Sequence, residues 1–163
     1  MSVRPLTLDD VEAYKALRLR GLQEDPTAFG SSYAEEVDLD FRQRVEPLEG
    51  RVTLGAFLDG QLVAVTTLMR ETRLKTQHRA NIFGVYTAPE ARGRGFARAL
   101  MEAALAAAAG WEGLKLVHLS VTVGNASARG LYRSLGFVTV GVEPAYLHVD
   151  GAFLDEEQMV RFL

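Results

Sequence analysis

The chain has 163 residues, 48% of them apolar, and a formal net charge of −3. That is enough for one domain with a proper core, and it lacks the overall positive field that draws nucleic acid. It contains no cysteine, which excludes disulfides, cysteine nucleophiles and thiolate metal sites. No apolar run approaches a membrane span, and the start Met-Ser-Val-Arg-Pro lacks an apolar signal segment. The expected location is therefore cytoplasmic, with neither a membrane nor a nucleic-acid partner.

In chain order, Ser2 to Leu6 reads as an edge strand because it contains Pro5. Thr7 caps a helix predicted from Leu8 to about Glu24, with Val11, Tyr14 and Leu17 on one side, and Asp25-Pro26 ends it. The mixed stretch Thr27 to Asp40 has room for a short helix, and a second helix is predicted over Leu39 to Leu48. Arg51 to Leu58 and Gln61 to Met69 are strands joined by Asp59-Gly60, a type I′ hairpin signal. Ala80 to Ala88 is the next strand, followed by a helix from Phe96 to Gly110. Leu114 to Val123 is a strand, and Ala126 to Leu135 a helix with Asn125 as N-cap and Gly136 past its end. Phe137 to Val149 and Ala152 to Leu163 form a last hairpin about Asp150-Gly151. Hairpin-joined strands followed by alternating strands and helices indicate an α/β or α+β domain with a mixed sheet.

The stretch Val85 to Met101 carries the chemistry. A strand stops at Pro89, the turn Arg92-Gly93-Arg94-Gly95 follows, and an alanine-rich helix begins at Phe96. The first N–H groups of a helix have no intrahelical acceptor and the macrodipole favours an anion there, so this junction suits phosphate. Glycines let the backbone approach, and Arg92, Arg94 and Arg98 add charge from the side. It is not a P-loop, which needs Lys and then Ser or Thr after the last glycine; here Phe96 and Ala97 follow Gly95. It is not a dinucleotide fingerprint, because the last glycine position would fall on Arg98.

Arg92, Gly95 and Ala97 do fit R/Q-x-x-G-x-G/A, the loop that wraps the coenzyme A pyrophosphate in the GNAT superfamily of N-acetyltransferases. A second match follows at the expected distance. Asn125, Ala128, Leu131, Tyr132, Gly136 and Phe137 fit N-x-x-A-x-x-L-Y-x-x-x-G-F. The chain resembles this superfamily over almost its whole length. The resemblance implies a single GNAT-like domain over 1–163, with a mixed central sheet of about seven strands flanked by about four helices. It implies acetyl-CoA as co-substrate, no metal, and a primary amine on a small molecule, amino acid or peptide as acceptor, attacked directly in a ternary complex. It leaves open a non-catalytic acyl-CoA sensor and an enzyme acting on protein N-termini or lysines. Homodimers are common among similar proteins, so a homodimer is open too.

The residue assignments follow. Arg92, Gly93, Arg94, Gly95, Phe96 and Ala97 are expected around the pyrophosphate. The backbone of Val85, Tyr86 and Thr87 is expected to pair with the pantetheine arm, with an N–H there facing the thioester oxygen. Asn125 is an N-cap that can also touch coenzyme A. Tyr132 is the candidate general acid, a phenol able to protonate a thiolate at neutral pH; otherwise it packs the helix on the sheet. Phe29, Tyr33 and Glu36 combine rings and a carboxylate suited to a cationic amine, or belong to a solvated loop. The general base is open. Relatives often carry Glu on the strand before the glycine loop, and the comparable position is near Asn81, which cannot act as a base. His78, Glu71, His148 and water are the substitutes.

Overall fold

A computed structural model describes residues 1–163. Seven strands form one sheet in the order β1-β2-β3-β4-β5-β7-β6. They are β1 (Ser2–Pro5), β2 (Arg51–Leu58), β3 (Gln61–Arg70), β4 (Arg79–Thr87), β5 (Leu116–Thr122), β6 (Val138–Val149) and β7 (Ala152–Phe162). The helices are α1 (Val11–Glu24), the single turn α2 (Tyr33–Glu36), α3 (Phe96–Ala109) and α4 (Ala126–Ser134). The expected mixed sheet of about seven strands with about four helices is what the chain forms.

Local chemistry accounts for most boundaries. Asp59 and Asp150 have φ of +49°, and Gly60 and Gly151 of +78°. These are the paired positive values a type I′ turn needs, and they fix the β2–β3 and β6–β7 registers. Pro5 sits on an edge strand, where a missing N–H is tolerated. Asp10 closes the entry to α1. Its carboxylate accepts from the Thr7 N–H at 2.8 Å and from Arg4 at 2.7 Å, and the Arg4 bond leads in holding it down at about 2. A short 3₁₀ turn, Leu8–Asp10, precedes α1.

The predicted helix over Leu39 to Leu48 does not form; only a 3₁₀ turn, Arg42–Arg44, is present. The Asp40 carboxylate accepts from the Arg42 N–H at 3.0 Å, and the Thr53 hydroxyl donates to the Arg44 carbonyl at 2.9 Å. Pro47 then bars continuation. The segment is anchored instead by Phe41 and Val45, both buried.

The sheet separates two apolar clusters. On one face α3 buries Leu100, Met101 and Ala104 against Ala56, Leu68 and Ile82, with Tyr132, Phe137 and Met159 in the same cluster. On the other, Tyr14 and Leu17 of α1 pack with Phe41, Val65 and Tyr86.

Two irregularities open the sheet in the middle. The β3–β4 register shifts between Val65 and Thr67, beside Gly84 with φ of +63°, a bulge that only glycine accommodates easily. The parallel strands β4 and β5 pair only where Arg79–Asn81 face Leu116–His118. Beyond that point they diverge. No helix is long and apolar enough to cross a membrane.

Candidate active site

The divergence of β4 and β5 leaves a cavity of about 850 Å³ that residues of both strands line, from Asn81 through Thr87 and from His118 through Thr122. Its walls come from both faces of the sheet.

On the α3–α4 face, β4 runs through a 3₁₀ turn (Pro89–Ala91) into the Arg92–Gly95 loop. Gly93 and Gly95 have φ of +73° and +84°, values that disfavour any side chain. The Ala99 N–H to Gly95 carbonyl bond, 3.0 Å, begins the α3 ladder, so the earlier N–H groups have no partner inside the helix. Arg92 is fixed by donating to the Thr87 carbonyl at 3.0 Å, and Arg98 by donating to the Ser134 hydroxyl at 2.6 Å. Asn125 accepts from the Ala128 N–H at 3.2 Å and so caps α4. Tyr132, two turns along α4, is buried and stands edge-on to Phe137 at 6.1 Å. Burial pushes its phenol up to about 12, so it is fully protonated at neutral pH.

On the α1 face, Phe29 lines the cavity beneath Arg18, whose guanidinium lies 4.9 Å from the ring centre. Glu36 does not line it. Its two oxygens accept from Arg18 at 2.8 Å and Arg44 at 2.7 Å. Burial pushes Glu36 up, but the two guanidiniums hold it below the usual carboxylate range. A polar chain crosses the strands just below the divergence. The Asn81 amide donates to Glu71 at 2.9 Å, His118 Nδ1 is 3.0 Å from Asn81 Oδ1, and His118 Nε2 is 2.7 Å from Gln158 Oε1. Glu156 of β7 completes this wall.

Among buried side-chain polar atoms, only the Tyr86 hydroxyl and Glu156 Oε2 lack a hydrogen-bond partner. Both residues line this cavity. Buried polar groups are almost always satisfied, so unsatisfied ones concentrated in one cavity mark a place shaped for a ligand.

Residues 18–137 match the acetyltransferase (GNAT) family. The chain belongs to that family. It is 27% identical over 148 residues, 91% of each chain, to the L-amino acid N-acetyltransferase AaaT of Escherichia coli. It is 35% identical over 82 residues to the spermidine N(1)-acetyltransferase of Vibrio cholerae, half of this chain and 47% of that one. A GNAT-family acetyltransferase from Streptococcus pneumoniae has the same fold, with a TM-score of 0.85 at 22% identity, covering 99% of both chains. This GNAT protein is thus an acyltransferase of the N-acetyltransferase class.

Of the residues singled out from sequence, Val85, Tyr86, Thr87, Arg92, Gly93, Gly95, Phe96, Ala97, Asn125, Tyr132 and Phe29 line one cavity. Arg94, Tyr33 and Glu36 do not; Arg94 turns onto the Phe96 ring at 5.7 Å. None of His78, Glu71 and His148 lines it either: His148 stacks on Phe153 at 4.5 Å in the last hairpin, and Glu71 is spent on Asn81. Sequence reading missed His118, Arg18 and Glu156. The only available signal for Glu156 was the Asp155-Glu156-Glu157 run inside a strand of apolar character.

Proposed function

We propose that this GNAT protein transfers acetyl from acetyl-CoA to a primary amine of a small molecule, amino acid or peptide. The observation that carries this reading is that the unpaired N–H groups before Ala99, the unpaired upper edge of β4 and the Tyr132 phenol all border one cavity. Arg92, Gly93 and Gly95 hold the pyrophosphate, with Phe96 and Ala97 contributing first-turn N–H groups. The Val85–Thr87 backbone pairs with the amide-bearing arm as an added half-strand and offers an N–H toward the thioester oxygen. Tyr132 delivers a proton to the departing sulfur. The arrangement is a direct attack in a ternary complex; the chain has no cysteine to carry an acyl intermediate.

Two features support an amino-acid acceptor. AaaT, similar over most of the chain, is named for L-amino acids. Arg18 gives Nε and Nη2 to Glu36, while its Nη1 lies near the Gly84 bulge on the cavity wall, where an acceptor carboxylate would find a donor.

Thermal melting with and without acetyl-CoA tests the donor site. At a hundred times its dissociation constant the ligand adds about 2.7 kcal/mol, a rise of roughly 5–10 °C for a chain of this size. Thiol release against L-amino acids, spermidine and a short peptide then tests the transfer. Tyr132→Phe should lower turnover roughly ten- to a thousand-fold while the acetyl-CoA shift is kept. No shift with acetyl-CoA or free coenzyme A would sink the reading.

A further inference from the structure

We propose that Glu156 is the carboxylate that receives the acceptor amine's proton, entering the cavity from the sheet face opposite Tyr132. This inference rests on the acetyltransferase reading above and names the proton acceptor that reading lacks.

The strand pleat sets the direction. Glu156 and Gln158 share one face of β7, and Gln158 meets His118 and Ser120 on that face. Glu157 points the other way, toward Arg129 and Arg133 of α4. Tyr132 belongs to the core cluster on that second face. The gap between β4 and β5 joins the two sides, and both Glu156 and Tyr132 line the cavity that fills it. A donor lying along α3 and α4 and an amine arriving from the α1 side would meet in that gap.

Competing bases are tied up. Both ring nitrogens of His118 are in hydrogen bonds, and its neighbour Asn81 carries an amide, which is not a base. Glu156 is 8% exposed, yet its Oε2 meets no donor. Burial raises its affinity for a proton, and the neighbouring Thr122 hydroxyl gives its one proton to the Thr27 carbonyl at 2.7 Å. The charged and titratable groups that face this space are Arg18 from α1, Asp25 just after it, Tyr86 from β4, Arg92 from the glycine loop, Arg98 from α3, His118 from β5, Tyr132 from α4 and Tyr146 from β6, with Glu143 directly across in register; unlike Glu156, Asp25 has a cation beside it, Arg92 at 3.7 Å.

The step balances. The ammonium gives one proton to Glu156 and the neutral amine attacks the thioester carbonyl carbon. The C–N bond forms, the C–S bond breaks, and the sulfur takes the Tyr132 proton. The second N–H proton returns to Tyr132, and Glu156 releases its proton to water.

Glu156→Gln keeps the shape and removes the base. With the amine that works best in the thiol-release assay, kcat/KM at neutral pH should fall by about 10²–10⁴, the range of acid–base catalysis, while the acetyl-CoA melting shift stays. The wild-type kcat/KM should level off well below the acceptor's own pKa; in the variant it should rise tenfold per pH unit up to that pKa, because only free amine can then react. Glu156→Asp should recover part of the rate. A Glu156→Gln protein with the wild-type rate and profile overturns the proposal and leaves the acetyltransferase reading standing. Loss of the acetyl-CoA shift along with activity makes Glu156 structural and also overturns it. A wild type that acetylates none of the amines sinks both readings together.

Discussion

On the α3–α4 face of the sheet Glu157 is buried among Arg129, Arg133 and the Thr139 hydroxyl; one residue earlier, on the opposite face, Glu156 is buried with an oxygen that meets no donor. The Thr139 hydroxyl leads in holding Glu157 below the usual carboxylate range, and the arginines assist it against burial. Burial drives Glu156 the other way. Glu36 is a third case, buried and satisfied by two arginines. Burial is common to all three, so the donors around each carboxylate decide its state. A satisfied buried carboxylate fixes packing; an unsatisfied one facing a cavity costs stability and keeps its chemistry free for a ligand.

Removing satisfied carboxylates should therefore hurt, and most where the abandoned partner cannot reach water. Arg18 is 12% exposed and Arg44 30%. Glu36→Ala leaves Arg18 charged, buried and alone, a loss of about 3–5 kcal/mol, which lowers the melting midpoint by roughly 6–20 °C in a chain of this size. It should also weaken amine binding, because Arg18 covers Phe29. A drop of only a degree or two would mean that Arg18 finds solvent.

Glu157→Gln is the milder version. Arg129 and Arg133 are 25% and 54% exposed and can hydrate once released. With that screening the cost should be about 1–2 kcal/mol, read as a smaller fall in the same melt. A loss equal to that of Glu36→Ala would show that partner exposure does not set the scale.

The same contrast explains what was readable in the chain. The α3–α4 side of the site is built from short contiguous stretches, Val85 to Ala97 and Asn125 to Tyr132, whose roles are largely backbone roles tied to glycine, an N-cap and a helix start. Such features leave marks at fixed spacing. The α1 side is assembled from α1, the Phe29 segment, β5 and β7, which meet only through the sheet order. Nothing in the spacing of Arg18, His118 and Glu156 joins them. The aromatic and acidic run at Ala28 to Glu36 reaches the cavity with the Phe29 ring and not with the Glu36 carboxylate. Glu36 faces Arg18 and Arg44 instead, and nothing within the nine residues Ala28 to Glu36 reveals which acid an arginine on another helix will claim. The unformed helix at Leu39 to Leu48 failed for a related reason. Its backbone is diverted by Asp40 and by Thr53 of β2, and the second of these is a tertiary contact.

The smallest effect carries the opposite sign and is the sharpest test. Glu156→Gln removes a buried charge that has no partner, so the variant should be more stable at neutral pH, by no more than about 1 kcal/mol because the amide remains imperfectly paired. The gain must depend on pH. Glu156 has a raised pKa in the fold, so its favourable contribution is complete below the unfolded value of about 4.3 and is lost as pH rises through the folded one. The difference between variant and wild type should thus vanish in acid and grow toward neutrality. For Glu36 and Glu157 the folded pKa is lowered. Their contribution is present above the unfolded value and lost as pH falls through the folded one, so the deficits of Glu36→Ala and Glu157→Gln should be largest at neutral pH and shrink in acid. Melting curves of wild type and the three variants across that range read all of this at once. If Glu156→Gln melts lower than wild type at neutral pH, then the carboxylate is bonded in solution, and the feature that separates it from Glu157 is gone.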